Sequence, residues 1–551
     1  MKVRNRIAMV SVLAMMLGLA SCGNETSVPD CSFEVDATRL GNEIPNLVSN
    51  VNVWSVGESF INPKVTSEVN IFDFVEYVQL MTATGGSPSR DLFKDPLDRT
   101  VKDDYAFDNL VANCRGILSL GAKPHLKLGN VPVKFTSRYR TDLYGVNIFP
   151  PDDYGEYYTY IRALMEVLVS EFGIDEVRTW HFGVFTEYEN KEWFQGSDGT
   201  PETAAEDFCK IYDWTVQAVT DVLGEDVWIG AHSMTVNEGL WDEAIFIEHC
   251  AQGRNWANGG RGTHITYLAS SYYDYSPGRF SDKKSLPECI AFLRTTAEKY
   301  GLTDLKFGID EGRILGSAPG KNNDAVYSRT VGFTYMAAYD ACRYGQMLDA
   351  GGDYLSSWQY LSTDLLEGNP SVSCHVAMNI NRMAGMKRAE VAADSTSACA
   401  GDLEMEVKAF AGVDTSSGKI TIMVYNFGNS LDYDSTVVAR LNVRTSMRRG
   451  SHRIQIRKVD DDCNWFDEWV EDRKALGITD DMFNWSPDDA CHVPWNIIDE
   501  TALEKYMELV PKYAECSVLT PLDDKVHVSG DGLAVIDCIL SPNSVWFIDI
   551  R

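Results

Sequence analysis

From about residue 45 to residue 365 the chain alternates short apolar runs with amphipathic helical stretches, and this alternation constrains the fold more than any other feature. Candidate strands fall at 47–53, 77–81, 124–128, 177–185, 227–231, 265–270, 305–309 and 354–358, eight in all. Strands separated by helices need crossover connections, which produce a parallel sheet. The helices are well marked. Thr200, Pro201 and Glu202 supply an N-cap, a proline at the first helical position and an early acid, and Phe208, Ile211, Tyr212, Thr215, Val219 and Val222 share one face until Gly224. Tyr157, Ile161, Leu164, Met165 and Leu168 form a second stripe that stops at Gly173. Eight strands with such helices predict an α/β fold of the TIM (β/α)8 type over 45–394, and no GxGxxG follows the first strand to suggest a dinucleotide fold.

Beyond about residue 395 the period changes to two. Met405, Val407 and Ala409 alternate with charged residues, a Ser-Ser-Gly turn follows, and Ile420, Ile422 and Val424 alternate again. Further strands are expected at 437–443, 454–458, 534–540 and 545–550. Residues 395–551 are therefore expected to form a C-terminal antiparallel β-sandwich, with an acidic, Trp-containing insertion near 460–515 that holds one or two helices. Residues 22–44 read as a linker in which 33–35 pairs with that sandwich. The run Asp460 to Asp462 lacks the ordered oxygen ligands of a calcium loop and reads as a solvated turn.

Residues 1–21 read as a bacterial lipoprotein signal peptide. Lys2, Arg4 and Arg6 precede an uncharged run from Ile7 to Ala20, and Leu19-Ala20-Ser21-Cys22 closes it in lipobox fashion. The run is shorter than the roughly 20 residues of a spanning helix. The expectation is a mature chain that starts at a lipidated Cys22 and is held in the cell envelope, on the periplasmic face or the cell surface, touching membrane only through that anchor. A formal charge of −31 argues against nucleic acid or an anionic membrane surface as partner. Thirteen cysteines include no CxxC pair, and no HExxH is present, so no metal site or other cofactor is expected. Most of the cysteines read as small buried residues.

Residues 180–194, WHFGVFTEYENKEWF, place Glu187 at the end of an apolar, strand-like run. In KFGIDEGR, Lys306 to Ile309 read as a buried strand with Glu311 at its C-terminal end. Side chains at the C-terminal ends of barrel strands share one mouth, so carboxyls after strands four and seven can face each other. Either glutamate alone is more often a solvated loop residue; together they point to acid/base or nucleophilic chemistry on a sugar. Lys127 and Asn130 near the third strand, and His232 after the fifth, are candidates to bind hydroxyls or a carboxylate, or are rim and structural residues. The absence of a GxSxG elbow argues against serine-hydrolase chemistry.

At these residues the chain resembles glycoside hydrolase family 39 of clan A, the group of β-xylosidases and α-L-iduronidases. FGVFTEYEN resembles the family's W-N-E-P type segment after strand four, which implies Glu187 as general acid/base; GIDEG resembles the segment after strand seven, which implies Glu311 as nucleophile. KPHLKLGNVP at 123–132 resembles the third strand and ITYLASSYYDY at 265–275 the sixth. The resemblance further implies Tyr273 as the tyrosine beside the nucleophile and Trp358 as an aromatic floor under the sugar, although a Trp there also serves as ordinary barrel packing. Three positions depart from the pattern: Thr186 stands where the family has the Asn that holds the sugar 2-hydroxyl, Tyr188 where it has Pro, and Ser271 where it has His. Replacing the amide removes a group that can both donate and accept.

The expectation is a retaining glycoside hydrolase acting on an oligosaccharide or polysaccharide, exo-acting, and of β-xylosidase or uronidase type. Retention predicts carboxyls roughly 5 to 5.5 Å apart, inversion roughly 6.5 to 9.5 Å. The competing expectation is a carbohydrate-binding lipoprotein on a barrel that has lost catalysis, and a third is a scaffold of the envelope that binds no sugar.

Overall fold

The computed structural model describes residues 28–551 apart from 54–55, 57–59, 62, 64–69, 236–238, 276–283, 317–332, 358–368, 394–396, 401–402 and 483–496. After β1 (Cys31–Glu43), the eight strands β2 (Asn50–Val53), β3 (Tyr77–Leu80), β4 (Lys123–Leu128), β5 (His181–Val184), β6 (Trp228–Ser233), β7 (Tyr267–Tyr275), β8 (Lys306–Gly316) and β9 (Tyr354–Ser357) close into a parallel barrel in chain order. Val51 opposite Ser357 completes the ring. Helices follow the strands on the outside, and their ends match the sequence signals. Thr200 accepts a hydrogen bond from the Thr203 N–H at the start of Pro201–Leu223, and Gly173 and Gly224 end their helices at φ 85° and 86°, where a side chain would be strained.

The fourth strand is shorter than its apolar run. Ile174–Val177 is a helical turn, and the Trp180 indole N–H donates to Glu176, 3.0 Å away, so the run's first residues pack outward against Phe172. The sixth and seventh strands are longer than expected, because β7 and β8 continue to pair past the barrel rim, with Tyr273 opposite Arg313.

The barrel interior is polar where such barrels are usually filled by branched aliphatic side chains. His125, Lys127, His232, Asp310, Gln79 and Tyr354 lie there, all fully or almost fully buried. Gly183 makes room for them: a Cβ there would come within 2.6 Å of Lys127 Cδ and 2.8 Å of the Tyr267 hydroxyl. The apolar residues sit instead between strands and helices, as Leu126, Leu128, Phe182 and Val184 do.

A second, mainly antiparallel sheet contains β1, β10 (Lys387–Ala393), β11 (Ser397–Ala400), β12 (Leu403–Val413), β13 (Ile420–Gly428), β14 (Val437–Arg444), β15 (Gly450–Val459), β16 (Leu522–Val528), β17 (Leu533–Leu540) and β18 (Val545–Ile550). Apart from β11, which pairs with β12, its strands form one hydrogen-bonded path whose end strands, β16 and β17, come back alongside each other, so it wraps a core of Phe33, Val35, Ile422, Leu441 and Ile548. The expected pairing of 33–35 is present, but β1 lies parallel to β14 as well as antiparallel to β10, and β10 brings this sheet in before residue 395. The outer face of β12 and β13 packs on the barrel helix Tyr335–Ala350, where Gly345 leaves space for the Phe410 ring.

The insertion holds two helices, Trp465–Leu476 and Glu500–Cys516, joined by Trp465, Trp469, Tyr506 and Tyr513. Asp460 caps the turn that follows β15 by accepting from the Asp462 N–H. Cys114, Cys209, Cys250, Cys289, Cys374, Cys463 and Cys538 are buried free thiols. Among the described residues no helix is long and apolar enough to cross a membrane.

Candidate active site

Glu187 is aimed by a break in the strand. Phe185 and Glu187 both have left-handed backbones, φ 67° and 44°, a conformation that costs a non-glycine residue about 1–3 kcal/mol and persists only where packing enforces it. Here the Phe185 N–H donates to the Leu128 carbonyl at 2.7 Å, and Gly129 lies so close that a Cβ would sit 2.8 Å from the Phe185 ring. Regular alternation would have put Gly183 and Phe185 on one face with Glu187; the turn overrides it. The loop closes on the carboxyl itself, with Asn190 Nδ2 donating to Glu187 Oε2 at 2.8 Å and Ser271 Oγ to Oε1 at 2.7 Å.

Glu311 is aimed by a β-bulge. Ser270 pairs with Ile309 but Ser271 with Glu311, so Asp310 is the extra residue in β8. A bulge breaks the in-out alternation. It lets two successive side chains face the barrel: Asp310 into the interior and Glu311 towards the mouth. Asp310 is then gripped from all sides. Lys127 Nζ pairs with one oxygen, while Gln79 at 3.2 Å and Tyr354 at 2.5 Å donate to the other, and Asn52 donates to its backbone carbonyl. Tyr273 donates to Glu311 Oε1, and Glu311 Oε2 has no hydrogen-bond partner.

The two carboxyls and His232 converge, each offering one atom within 4.8 Å of the others. Burial raises both glutamates. Glu311 is pushed up to about 8, by burial first and then by the nearby charge of Glu187, against the Tyr273 hydrogen bond. Glu187 is raised by burial against hydrogen bonds from Ser271 and Asn190. Burial would also raise Asp310, but Lys127, His125 and His232 outweigh it and hold that carboxyl well below the usual range. Burial and the Lys127 charge push His232 down to about 3, so its imidazole is neutral at physiological pH. Glu187, His232 and Glu311 are also a donor set that a divalent cation could use, at the expense of the Ser271 hydrogen bonds.

The structure thus brings Glu187, Glu311, Tyr273 and His232 together. Lys127 is not at the mouth as a substrate cation; it is fully buried and committed to Asp310, with the Tyr267 hydroxyl 3.4 Å away. Asn130 lies just past β4, and its buried amide nitrogen has no partner, as a donor awaiting a hydroxyl would. Thr186 Oγ1 is 3.5 Å from Met81 Sδ. Tyr188, at the family's proline position, points outward and stacks on Phe208 with ring centres 4.4 Å apart. Trp358 and Cys22 lie outside the described residues. Sequence reasoning missed Asp310, Gln79 and Asn190. A lysine inside the apolar run HLKL and a second acid beside Glu311 were the signals for the buried pair.

Fold and site together define a (β/α)8 barrel with paired carboxyls after its fourth strand and on its seventh. Residues 92–314, which include both glutamates, match the family model for Glycosyl hydrolases family 39. Among curated proteins the chain is similar to a β-xylosidase of Geobacillus stearothermophilus, 26% identical over 159 residues, and to one of Caldicellulosiruptor saccharolyticus, 32% identical over 122 residues. Those matches cover 29% and 22% of this chain and only 30% and 24% of the relatives' own length. In three dimensions it is similar to the family 39 enzyme of Xanthomonas axonopodis pv. citri, with TM-score 0.63 at 13% identity over 95% of this chain and 98% of that one. A monomeric β-xylosidase of Caulobacter crescentus CB15 gives 0.62 at 15% identity over 94% and 99%.

Lys127→Met strands Asp310 as an uncompensated buried charge and is expected to cost about 3–5 kcal/mol in equilibrium urea unfolding. Lys127→Met with Asp310→Asn should cost clearly less. A single variant as stable as wild type would show that the pair does not carry the barrel interior.

Proposed function

We propose that this chain is a retaining glycoside hydrolase of family 39 that removes a neutral sugar, of the β-xylosyl kind, from the end of an oligosaccharide. The observation that carries this reading is the approach of two buried carboxyls with complementary surroundings: Glu311 keeps one oxygen unpartnered, while Glu187 is tethered at both. In the first step Glu311 Oε2 attacks the anomeric carbon as Glu187 gives its proton to the leaving oxygen and the glycosidic bond breaks. In the second, Glu187 takes a proton from water, the water oxygen attacks the anomeric carbon, and Glu311 is released. The approach within 4.8 Å favours the close spacing of retaining enzymes.

A neutral sugar is favoured over a uronide by the disposition of cations. Lys127 is spent on Asp310, and among the described residues Arg313 and Arg343 are paired with Asp340 and Asp274. Two similar curated proteins are β-xylosidases. The N-terminal sequence supports anchoring through Cys22 in a bacterial envelope. Cys22→Ala should then move the protein from the membrane fraction to the soluble one; a wild-type protein already soluble would rule the anchor out.

The test is a panel of aryl glycosides and oligosaccharides, with the first-formed anomer read by NMR. The expected result is cleavage of a β-xyloside with the β-anomer released first, and loss of at least about a hundred-fold in Glu311→Gln. Release of the α-anomer, or wild-type cleavage by Glu187→Gln and Glu311→Gln together, would refute the reading. The pH profile follows from the upward shifts. The active form carries one proton between the two carboxyls: at low pH both are protonated and the nucleophile is lost, and at high pH both are ionised and the acid is lost. Burial raises Glu187, the acid, so the alkaline limb is expected above the ordinary carboxyl range. A limb at the value of an exposed carboxyl would contradict it.

A further inference from the structure

His232 is fully buried on β6, yet it is connected to the carboxyl at the mouth. Its Nε2 lies 3.0 Å from Ser271 Oγ, and that hydroxyl donates to Glu187 Oε1 at 2.7 Å. On the other side Nδ1 stands 3.7 Å from Asp310 Oδ2, beyond hydrogen-bond reach, and has no partner. His232 pairs with Ala269 across the β6–β7 ladder, and Ala269 and Ser271 are on the same face of β7, so the two side chains meet inside the barrel. Ser271 is the position at which the family resemblance leads one to expect histidine.

We propose that His232 is a positioning residue for catalysis, which supplies from β6, through the Ser271 hydroxyl, the imidazole missing from β7 and holds the Glu187 carboxyl towards Glu311. The inference rests on the reading of Glu187 as acid/base. With a neutral ring and Nδ1 unpartnered, the ring proton belongs on Nε2, which donates to Ser271 Oγ; the serine then has its single proton left for Glu187. No proton leaves its atom along this chain. Its effect is orientation, together with preferential stabilisation of ionised Glu187, the form that activates water in the second step. The charged and titratable groups around His232 are Lys127 and His125 from β4, Asp310 and Glu311 from β8, and Glu187 beyond β5; Glu187 in turn faces Glu311 and Glu189.

The test uses the full chain and an aryl glycoside that it cleaves. His232→Leu fills the space without a donor and is expected to lower kcat roughly ten- to a hundred-fold. Loss of the donor chain raises the Glu187 pKa, so the alkaline limb of kcat/KM should move up by as much as about one pH unit in His232→Leu and in Ser271→Ala. His232→Gln keeps an N–H near the Nε2 position and should retain most of the rate. The swap His232→Ser with Ser271→His should recover at least about ten-fold of what His232→Ser loses, a result that a merely structural histidine would not give. Thermal melts identify folded variants, and if His232→Leu does not fold, His232→Gln against Ser271→Ala carries the comparison. Unchanged kcat and pH profile in folded His232→Leu or Ser271→Ala, or a folded swap no faster than His232→Ser, overturns the proposal. Glu187→Gln separates the two levels: if it cleaves unactivated substrate at the wild-type rate, the acid/base reading itself has failed, whereas if it is inactive and the His232 variants are unaffected, only the positioning role has failed.

Discussion

The pairing of Lys127 with Asp310 at the barrel axis is the contact on which the site is built. Both side chains are wholly removed from water, a cost that is offset only when the geometry is good and the remaining lone pairs are satisfied. Gln79, Tyr354 and Asn52 meet that condition from three other strands. The glycine at 183 allows it sterically, since any side chain there would occupy the volume of Lys127 and Tyr267. Fixing Asp310 also fixes the bulge in β8. Because the bulge places Asp310 inside, the next residue, Glu311, is delivered to the mouth instead of the outer helices.

The site built on this anchor holds two carboxyls in unequal surroundings. Glu187 is restrained at both oxygens and sits on a strained turn; Glu311 is restrained at one and leaves the other available. Burial raises both, and the charge of Glu187 raises Glu311 further, which favours keeping a single proton between them. That single proton is the requirement for a nucleophile and an acid to coexist. The departures from the family pattern are local. Tyr188 turns into the aromatic layer around Phe208, while the histidine absent at Ser271 is matched by one arriving from the adjacent strand.

Much of this was legible in the sequence, because it is locally encoded. Helix starts and stops at Thr200, Gly173 and Gly224, the alternation that gives β12 and β13, and the order of eight apolar runs all depend on neighbours in the chain. Glu187 and Glu311 could be read for the same reason, each lying at the end of a recognisable run. What could not be read depends on register across strands. The bulge at Asp310, the parallel pairing of β1 with β14 and the extension of β7 and β8 past the rim are set by partners far away in sequence. The role of Lys127 is hidden in the sequence because its partner Asp310 lies 183 residues away and faces the interior only by virtue of the bulge in β8. His232 could be named as a candidate, but its connection through Ser271 became visible only when two strands were side by side.

The central claim is that Glu311 forms a covalent bond to the sugar. Incubation with a panel of 2-fluoro glycosides bearing a good leaving group, followed by intact-mass measurement and peptide mapping, tests it directly. The account predicts one added glycosyl mass per chain, carried on the peptide containing Glu311 and lost in Glu311→Gln. A label on any other residue, or no label from the fluoro analogue of a glycoside that the protein demonstrably cleaves, would contradict it.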